Sequence, residues 1–326
     1  MAPYGNSNAG LNQFTGYLLR RAFVKAAGAA RDCIPETAHV RQVAVMVILR
    51  ARGAISQRSL ADLTHVNPTL MVKLVDELER KSWVVRDRNP DDRRSYALRL
   101  TELGFSALAE LESDLDRGEA EFTAPLTETE RGRLKELLCV LLADDEALGV
   151  ADLAERTGYL VTHAHRMLRE WAEVELEGLD LHPRDFGVLA TLSADEPCSQ
   201  SQLAVRLGVT PAAVLMFLDE LEPKGLVTRL RRADDRRVHD ISLTDEGRRR
   251  LKAARRAAAR LQGRAVARLG EAGDDELRAL LATLLEPVDA HRTPQQTAER
   301  QLAEQQTAAQ QGASQQSAAQ QAAPQH

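Results

Sequence analysis

This sequence of 326 residues has few cysteines, a small net charge and no long apolar runs. Its three cysteines, Cys33, Cys139 and Cys198, have unrelated spacings, which excludes a disulfide framework and a cysteine-based zinc set. No apolar run approaches the length of a membrane span, and the N-terminus has neither the basic nor the apolar segment of a signal peptide. We therefore expect a protein that works in the reducing cytoplasm.

The usual signatures of catalysis are missing as well. There is no Gly-rich phosphate loop, no Ser/His/Asp arrangement and no pair of carboxylates in a plausible cleft. His163 and His165 stand two residues apart, so on a helix they face different directions and do not form a close ligand pair. The sequence therefore predicts that the protein is not an enzyme and that it holds no metal and no cofactor.

The net charge of −5 argues against a basic surface overall, but it conceals local patches. Arginines concentrate in two segments that are copies of each other, because Arg86–Gly104 recurs as Arg229–Gly247, 143 residues later. Each copy consists of an apolar run, a polar tip with Asp-Asp-Arg-Arg, a second apolar run and Leu-Thr-x-x-Gly. A repeat over this distance predicts two domains of about 140 residues each.

Apolar residues that alternate on both sides of a polar tip predict a β-hairpin in each copy. Thr101 and Thr244 follow the hairpins and precede acidic residues, so we expect them to cap the next helices. A helix pair precedes each hairpin, and Asn67-Pro68 and Thr210-Pro211 are typical first residues of its second helix. The helices predicted for the first repeat are Leu11–Ala30, Arg41–Arg50, Ser59–His65, Pro68–Lys81, Glu102–Phe122 and Thr127–Ala143. Those of the second are Thr157–Leu176, Pro183–Ser193, Gln200–Leu207, Pro211–Lys224, Asp245–Leu269 and Asp274–Leu285.

Helix, tight turn, helix and a basic hairpin form a winged helix-turn-helix, which is a DNA-binding unit. The second helix of the pair enters the major groove, where its N-terminal residues meet base edges. Arg93 and Arg94 at the wing tip suit the minor groove, whereas Arg86 and Arg88, where strand meets tip, suit phosphates. Solvated surface charge is the weaker alternative, because the arrangement occurs twice in the same register. The predicted DNA-binding residues are Asn67, Thr69, Leu70, Lys73, Arg86, Arg88, Arg93, Arg94, Thr210, Arg229, Arg231, Arg236 and Arg237.

The end of each wing resembles the signature of the MarR family of bacterial regulators. The matching residues are Asp92-x-Arg94 with Leu100-Thr101-x-x-Gly104 and, in the second repeat, Asp235-x-Arg237 with Leu243-Thr244-x-x-Gly247. In both copies five residues separate the two halves of the motif. The helix-turn-helix segments upstream are similar to the family as well, so that the resemblance extends from Leu11 to Val288.

The resemblance implies a two-fold dimer whose first and last helices interlock and present two winged helices to a palindromic operator. Most proteins of this family are repressors, and many release DNA when a small phenolic or lipophilic ligand binds between the dimer core and the DNA-binding lobe. We therefore expect a mainly α fold with small β-wings, in which two winged helix-turn-helix domains of one chain form an intramolecular pseudo-dimer. The expected partners are a double-stranded DNA operator and such an effector, and further dimerisation stays open. The ligand pocket is expected in the region of Tyr17, Tyr159, Trp171 and Phe186.

The domain organisation follows from the extent of the repeats. We expect a flexible N-terminus at 1–10, MarR-type winged helix domains at 11–143 and 153–288, and a short linker at 144–152. The Gln/Ala-rich segment at 289–326 lacks apolar bulk, so it cannot offset the entropy of ordering and is predicted to be a disordered tail.

The second repeat departs from the family on its reading helix. Met216 occupies the position of Lys73, and its neighbours Ala212, Ala213 and Leu215 offer almost no hydrogen-bonding capacity toward bases. Our hypothesis is that the first repeat recognises the base sequence, while the second contacts the DNA backbone and the minor groove. The operator is then expected to be asymmetric. The alternative function is a scaffold that binds small molecules or proteins and whose second repeat has lost DNA binding.

Overall fold

The computed structural model describes residues 11–88, 96–231 and 239–286. The predicted flexible N-terminus and Gln/Ala-rich tail lie outside these residues, and so do Arg93, Arg94, Arg236 and Arg237. Within the described part, helices and small antiparallel sheets follow each other twice in the same order. The predicted fold class, mainly α with small β-wings, is confirmed.

Each repeat has a first helix, a helix-turn-helix, a wing and C-terminal helical segments. The first consists of α1 (Thr15–Cys33), α2 (Val40–Arg52), β1 (Ile55–Ser56), α3 (Gln57–Thr64), α4 (Pro68–Arg80), β2 (Val84–Arg88), β3 (Tyr96–Leu100), α5 (Glu102–Thr123) and α6 (Glu128–Leu141). A 3-10 turn (Glu146–Gly149) and the short α7 (Ala151–Ala154) lead to the second. This contains α8 (Thr157–Glu177), α9 (Pro183–Ala194), β4 (Cys198–Ser199), α10 (Gln200–Leu207), α11 (Pro211–Leu221), β5 (Val227–Arg231), β6 (His239–Leu243) and α12 (Asp245–Leu284).

Local sequence signals explain where most of these helices begin and end. The Asn67 side chain accepts a hydrogen bond from the backbone N–H of Leu70 at 2.8 Å, which confirms the predicted cap of α4. The helix α11 ends three residues before the predicted Lys224, because Pro223 has no backbone N–H to continue the helical ladder. The break predicted in the last segment is confirmed at Gly270, whose φ of 72° changes the direction of α12.

Each wing is a three-stranded antiparallel sheet, with the order β1-β3-β2 in the first repeat and β4-β6-β5 in the second. The edge strands β1 and β4 are two residues long and run directly into the helix-turn-helix. In the second repeat the two helices of this motif, α10 and α11, meet at 107°, as is typical of a helix-turn-helix. Among the described helices, none is by itself long and apolar enough to cross a membrane, and only this bent pair reaches the necessary length and apolarity together.

The Leu-Thr-x-x-Gly motif joins the wing to the following helix. Thr101 accepts from the N–H of Gly104 at 2.9 Å and donates to the carbonyl of Ser82 at 2.6 Å. A Cβ atom on Gly104 would lie 2.0 Å from the backbone oxygen of Trp83, and one on Gly247 would lie 2.0 Å from that of Leu226. Glycine is required at both positions because only its backbone can approach the preceding strand so closely.

The two repeats share one hydrophobic core. Side chains of α1, α5 and α6 from the first repeat pack there against α8 and α12 of the second. Its largest fully buried members include Leu18 and Leu19 of α1 and Phe122 of α5. Each helix-turn-helix and its wing enclose a separate smaller core. Because burial of a leucine contributes about 1.5–3 kcal/mol, the shared core ties the two repeats together strongly.

The first helix of each repeat is capped by the other repeat. Neither α1 nor α8 has a side-chain cap from its own N-cap residue. Instead, the N–H of Thr157 donates to Oε1 of Glu119 at 2.6 Å, and the N–H of Gly158 donates to Oε2 at 3.1 Å. In the mirror contact, the N–H of Thr15 donates to Oε1 of Gln262 at 3.0 Å. Glu119 and Gln262 are equivalent residues of the two repeats, so the caps are reciprocal.

We expect Glu119→Ala to destabilise the full chain by about 1–2 kcal/mol, because it leaves two N–H groups of α8 without an acceptor and removes an anion from a helix N-terminus. Urea unfolding checks this result, with the midpoint compared between variants. Glu110→Ala, on the exposed face of the same helix, is the matched control and should change the free energy of unfolding by less than about 0.5 kcal/mol. Glu119→Gln should recover part of the loss, since its one amide oxygen can accept from one N–H group, as Gln262 does at the equivalent position. Equal losses for the two alanine variants would contradict the cap.

Candidate DNA interface

The N-terminal end of α4 presents polar residues to solvent. Asn67, Thr69 and Lys73 are exposed and Leu70 is half-buried. Thr69 and Lys73 are four residues apart and therefore lie on the same face of the helix. The carbonyl oxygen of the Asn67 side chain is occupied by the cap, which leaves its amide N–H groups to donate outward. This end of α4 can therefore offer hydrogen-bond donors from three side chains to one ligand surface.

The structure places Arg86 in a contact that the sequence did not predict. Its guanidinium lies 2.7 Å from Oδ1 of Asp76 and 3.3 Å from Oε2 of Glu79, both on α4. Arg86 therefore braces the wing strand against the reading helix. Arg88, at the end of the same strand, is exposed. Phosphate contact by either residue stays a prediction.

The second repeat contains the same brace. Arg229 lies 2.8 Å from Oδ1 of Asp219 and 2.5 Å from Oε2 of Glu222, which are equivalent to Asp76 and Glu79 of the first repeat. The hydrogen bond to Glu222 and the one to Asp219 raise the pKa of Arg229 against the opposing effect of burial. Because the contact recurs, it is a structural feature of both winged helices and not an accident of one surface.

The reading helix of the second repeat offers a different surface. Thr210 caps α11 by accepting from the N–H of Ala213 at 3.2 Å, as predicted. Leu215 and Met216 are exposed by 43% and 60%. Apart from the capping Thr210, the first two turns of α11 therefore present apolar atoms. The same turns of α4 present Thr69 and Lys73.

The remaining predicted DNA contacts cannot be placed. Arg93 and Arg94 lie outside the described residues, as do Arg236 and Arg237. Arg231 ends β5, and its side chain is not among those described. The insertion of the wing tips into a minor groove stays a prediction.

Two cavities lie between the shared core and the helix-turn-helix units. The α9 cavity, of about 330 Å³, is lined by α1, α8, α9 and α12, and both Tyr17 and Phe186 contribute to its wall. The α2 cavity, of about 520 Å³, is lined by α1, α2, α5 and α8, and Tyr159 contributes to its wall. Trp171 lines neither of the two and instead packs beneath the guanidinium groups of Arg264 and Arg268. The structure thus brings three of the four predicted pocket residues to cavities.

Both cavities combine apolar walls with basic groups. Arg20, Arg169 and Arg184 line the α9 cavity. Burial, together with the charges of Arg20 and Arg169, lowers the pKa of His165 on the same wall to about 4, so that this imidazole is neutral at pH 7. The arginines of the α2 cavity are Arg31, Arg41 and Arg156. This chemistry suits an aromatic or lipophilic molecule that carries negative charge.

Comparison with known proteins assigns the chain to a family. A model described as MarR family matches residues 40–96 and 181–239, one segment in each repeat. The putative transcriptional regulatory protein for the hcr operon of Thauera aromatica is 35% identical over 132 residues, which cover 40% of this chain and 80% of that protein. The HTH-type transcriptional repressor MdtR of Bacillus subtilis is 42% identical over 72 residues, or 22% of this chain and 46% of that protein.

Among solved structures, the transcriptional repressor CouR bound to a 23-mer DNA duplex is 34% identical, with a TM-score of 0.40. The similarity covers 41% of this chain and 96% of the CouR chain. The two matched segments and the extended similarity to the Thauera protein lead to one conclusion. The chain belongs to the MarR family of DNA-binding transcriptional regulators, and it contains the family unit twice.

Proposed function

We propose that the protein is a sequence-specific repressor that binds double-stranded operator DNA as an intramolecular pseudo-dimer. The observation that carries this proposal is the exposed N-terminal end of α4, with Thr69 and Lys73 on one face, attached to a core that both repeats build. A helix of this kind reads base edges in the major groove. The wings add phosphate and minor-groove contacts from both repeats.

The proposal includes the domain organisation. Winged helix domains at 11–143 and 153–288 supply the two halves, and the segment at 144–152 joins them. The reciprocal caps of α1 and α8 support this arrangement, because each repeat completes a helix of the other. One polypeptide is then the unit that binds one operator, in the cytoplasm where that DNA lies.

Selection of bound fragments from a random duplex library tests the proposal. We expect an asymmetric operator with one well-defined half-site, since α4 presents hydrogen-bonding side chains and α11 presents Leu215 and Met216. Mismatches in that half-site should cost about 1–3 kcal/mol per base pair, and those in the other half should cost less. A perfectly palindromic selection would contradict the division of roles between the repeats.

We expect Lys73→Ala to weaken binding to the selected duplex and, because it removes one cation from the DNA interface, to reduce the slope of log affinity against log salt by about 1. Met216→Ala, at the equivalent position of the second repeat, is the matched control and should leave the slope unchanged. Fluorescence anisotropy over a salt series measures both. Equal effects of the two substitutions would show that the repeats do not differ in this way.

Relief of repression by a small molecule is the second part of the proposal. The α9 and α2 cavities lie where movement of a helix-turn-helix relative to the core would change their shape. Three arginines line each cavity, whereas the walls are largely apolar. We therefore propose that the effector is an aromatic or lipophilic anion that favours one spacing of the winged helices.

A panel of phenolic acids tests this idea in the anisotropy assay. At least one member should release the duplex from the wild-type chain, and Ala258→Trp, which fills the α9 cavity, should lower the potency of a ligand bound there at least tenfold. Ala253→Trp, on the same helix but outside the cavity wall, is the control and should respond as the wild type does. Since the α2 cavity could hold the effector instead, Ala44→Trp provides the corresponding change there. A panel with no releasing compound would count against effector relief.

One observation favours a second candidate function, that of an interaction scaffold. Val205, Leu215, Met216 and Leu230 are exposed large apolar residues of the second helix-turn-helix and wing. A surface of this kind suits a protein partner better than it suits a phosphate backbone. Weak binding to every duplex, with little dependence on salt, would support the scaffold and contradict the repressor.

A further inference from the structure

Three side chains from distant parts of the sequence converge beside the helix-turn-helix of the first repeat. His65 lies in the turn between α3 and α4, Asp145 lies in the connection after α6, and His163 lies on α8 of the second repeat. One nitrogen of each imidazole and one carboxylate oxygen all lie within 4.8 Å of one another. Nε2 of His65 is 3.2 Å from Oδ1 of Asp145, and Nδ1 of His163 is 3.7 Å from Oδ2.

The cluster is shielded from water on the side of the core. His163 is only 6% exposed, and its Nδ1 atom is buried without a hydrogen-bond partner among the described residues. The 3.7 Å to Asp145 is too long for a hydrogen bond. A buried polar atom without a partner is costly, and such atoms in native proteins mark a missing water or ion. Nδ1 of His163 therefore points to a ligand between the three side chains.

We propose that His65, Asp145 and His163 bind a divalent transition-metal ion, with Zn²⁺ as the best match. Two imidazole nitrogens and one carboxylate oxygen are ligands that Zn²⁺ takes, whereas Mg²⁺ and Ca²⁺ prefer all-oxygen sets. Tetrahedral bonds of this kind hold neighbouring ligand atoms about 3.3 Å apart. Nε2 of His65 and Oδ1 of Asp145 are already 3.2 Å apart, and since all three ligand atoms lie within 4.8 Å of one another, small side-chain movements bring the set to that spacing. Water supplies the fourth ligand.

A nearby arginine does not prevent binding. Arg166 lies 2.6 Å from Oδ2 of Asp145 and 2.8 Å from Oε1 of Glu170, so that its charge is balanced by a second carboxylate. A metal-binding carboxylate is commonly held in place by hydrogen bonds from neighbouring side chains, and here Arg166 engages Oδ2 while Oδ1 lies nearest His65. Arg166 and Glu170 thus act as positioning residues that hold Asp145 toward the two histidines.

The site differs from the histidine pair that the sequence drew attention to. His165 stacks on Phe23, with ring centroids 4.9 Å apart, and lines the α9 cavity, so it does not join His163. The expectation of no metal rested on that pair and on the unrelated spacings of the three cysteines. The partners of His163 are 98 and 18 residues away in the sequence, and only the folded chain brings them together.

Metal binding here would connect three parts of the molecule. His65 ends α3 in the left-handed conformation, with φ of 50°, directly before the reading helix α4. His163 is a buried residue of α8, a helix that contributes to the shared core. An ion held by both histidines would therefore fix the helix-turn-helix of the first repeat against the second repeat. The second repeat has no histidine at the position of His65, where Gly208 stands, so that the restraint would act on one side only.

Metal titration of the chelator-treated full chain tests the site. The wild type should compete with a chromophoric chelator for one Zn²⁺ per chain, and Co²⁺ should give the absorption bands of a tetrahedral site. His65→Asn should lower the affinity at least about tenfold, on the scale expected for disturbed metal ligation. Asparagine tolerates the left-handed conformation of His65, so this variant keeps the turn. His163→Gln should have a similar effect.

Two control variants make the result specific. His165→Gln and His182→Gln remove histidines outside the cluster and should leave the affinity of the single site unchanged. If the wild type binds no Zn²⁺ in competition with the chelator, or if His65→Asn binds as tightly as the wild type, the proposal fails. Charge-transfer bands of a thiolate in the Co²⁺ spectrum would place the ion on cysteine instead and would also overturn it.

Discussion

The exchange of caps between the repeats is the contact on which the rest of the structure depends. The first helix of each repeat begins with N–H groups that its own sequence does not satisfy, and Glu119 and Gln262 supply the acceptors from the opposite repeat. Neither α1 nor α8 is complete alone, since both helices also bury their apolar faces in the shared core. Joining the two halves in one chain makes this association intramolecular, so it no longer depends on protein concentration.

Fusion also frees the two halves to differ. In a two-fold dimer of identical chains every substitution appears twice, whereas here each repeat can change by itself. The cap shows this on a small scale: Glu119 acts as a carboxylate, while Gln262 belongs to a network in which its amide donates to Thr15 and Asp274. The reading helices have diverged further, from Lys73 to Met216, and the two cavities differ in volume. The two halves of such a chain can therefore carry different side chains at equivalent positions.

Local features of this fold could be predicted from the sequence, but contacts between distant segments could not. Caps such as Asn67 and Thr101 depend on a few neighbouring residues, and the repeat itself revealed the order of the elements. The braces of Arg86 and Arg229 were missed because the acidic residues on α4 and at the end of α11 look like solvent-facing charges. Their recurrence at the same offset was the available signal. The cluster around Asp145 gave no such signal, because its members come from three separate elements that only folding brings together.

The two arginine braces affect DNA recognition through charge as well as through position. Asp76 lies seven residues after Thr69, so it is on the exposed side of the reading helix, where a free carboxylate would repel phosphates. Pairing with Arg86 neutralises that carboxylate and leaves Lys73 as the charge that the first two turns of α4 present. An exposed ion pair adds little stability, about 0–1 kcal/mol. The same ion pair recurs between Arg229 and Asp219. We therefore attribute it to the electrostatic surface of both winged helices and not to their stability.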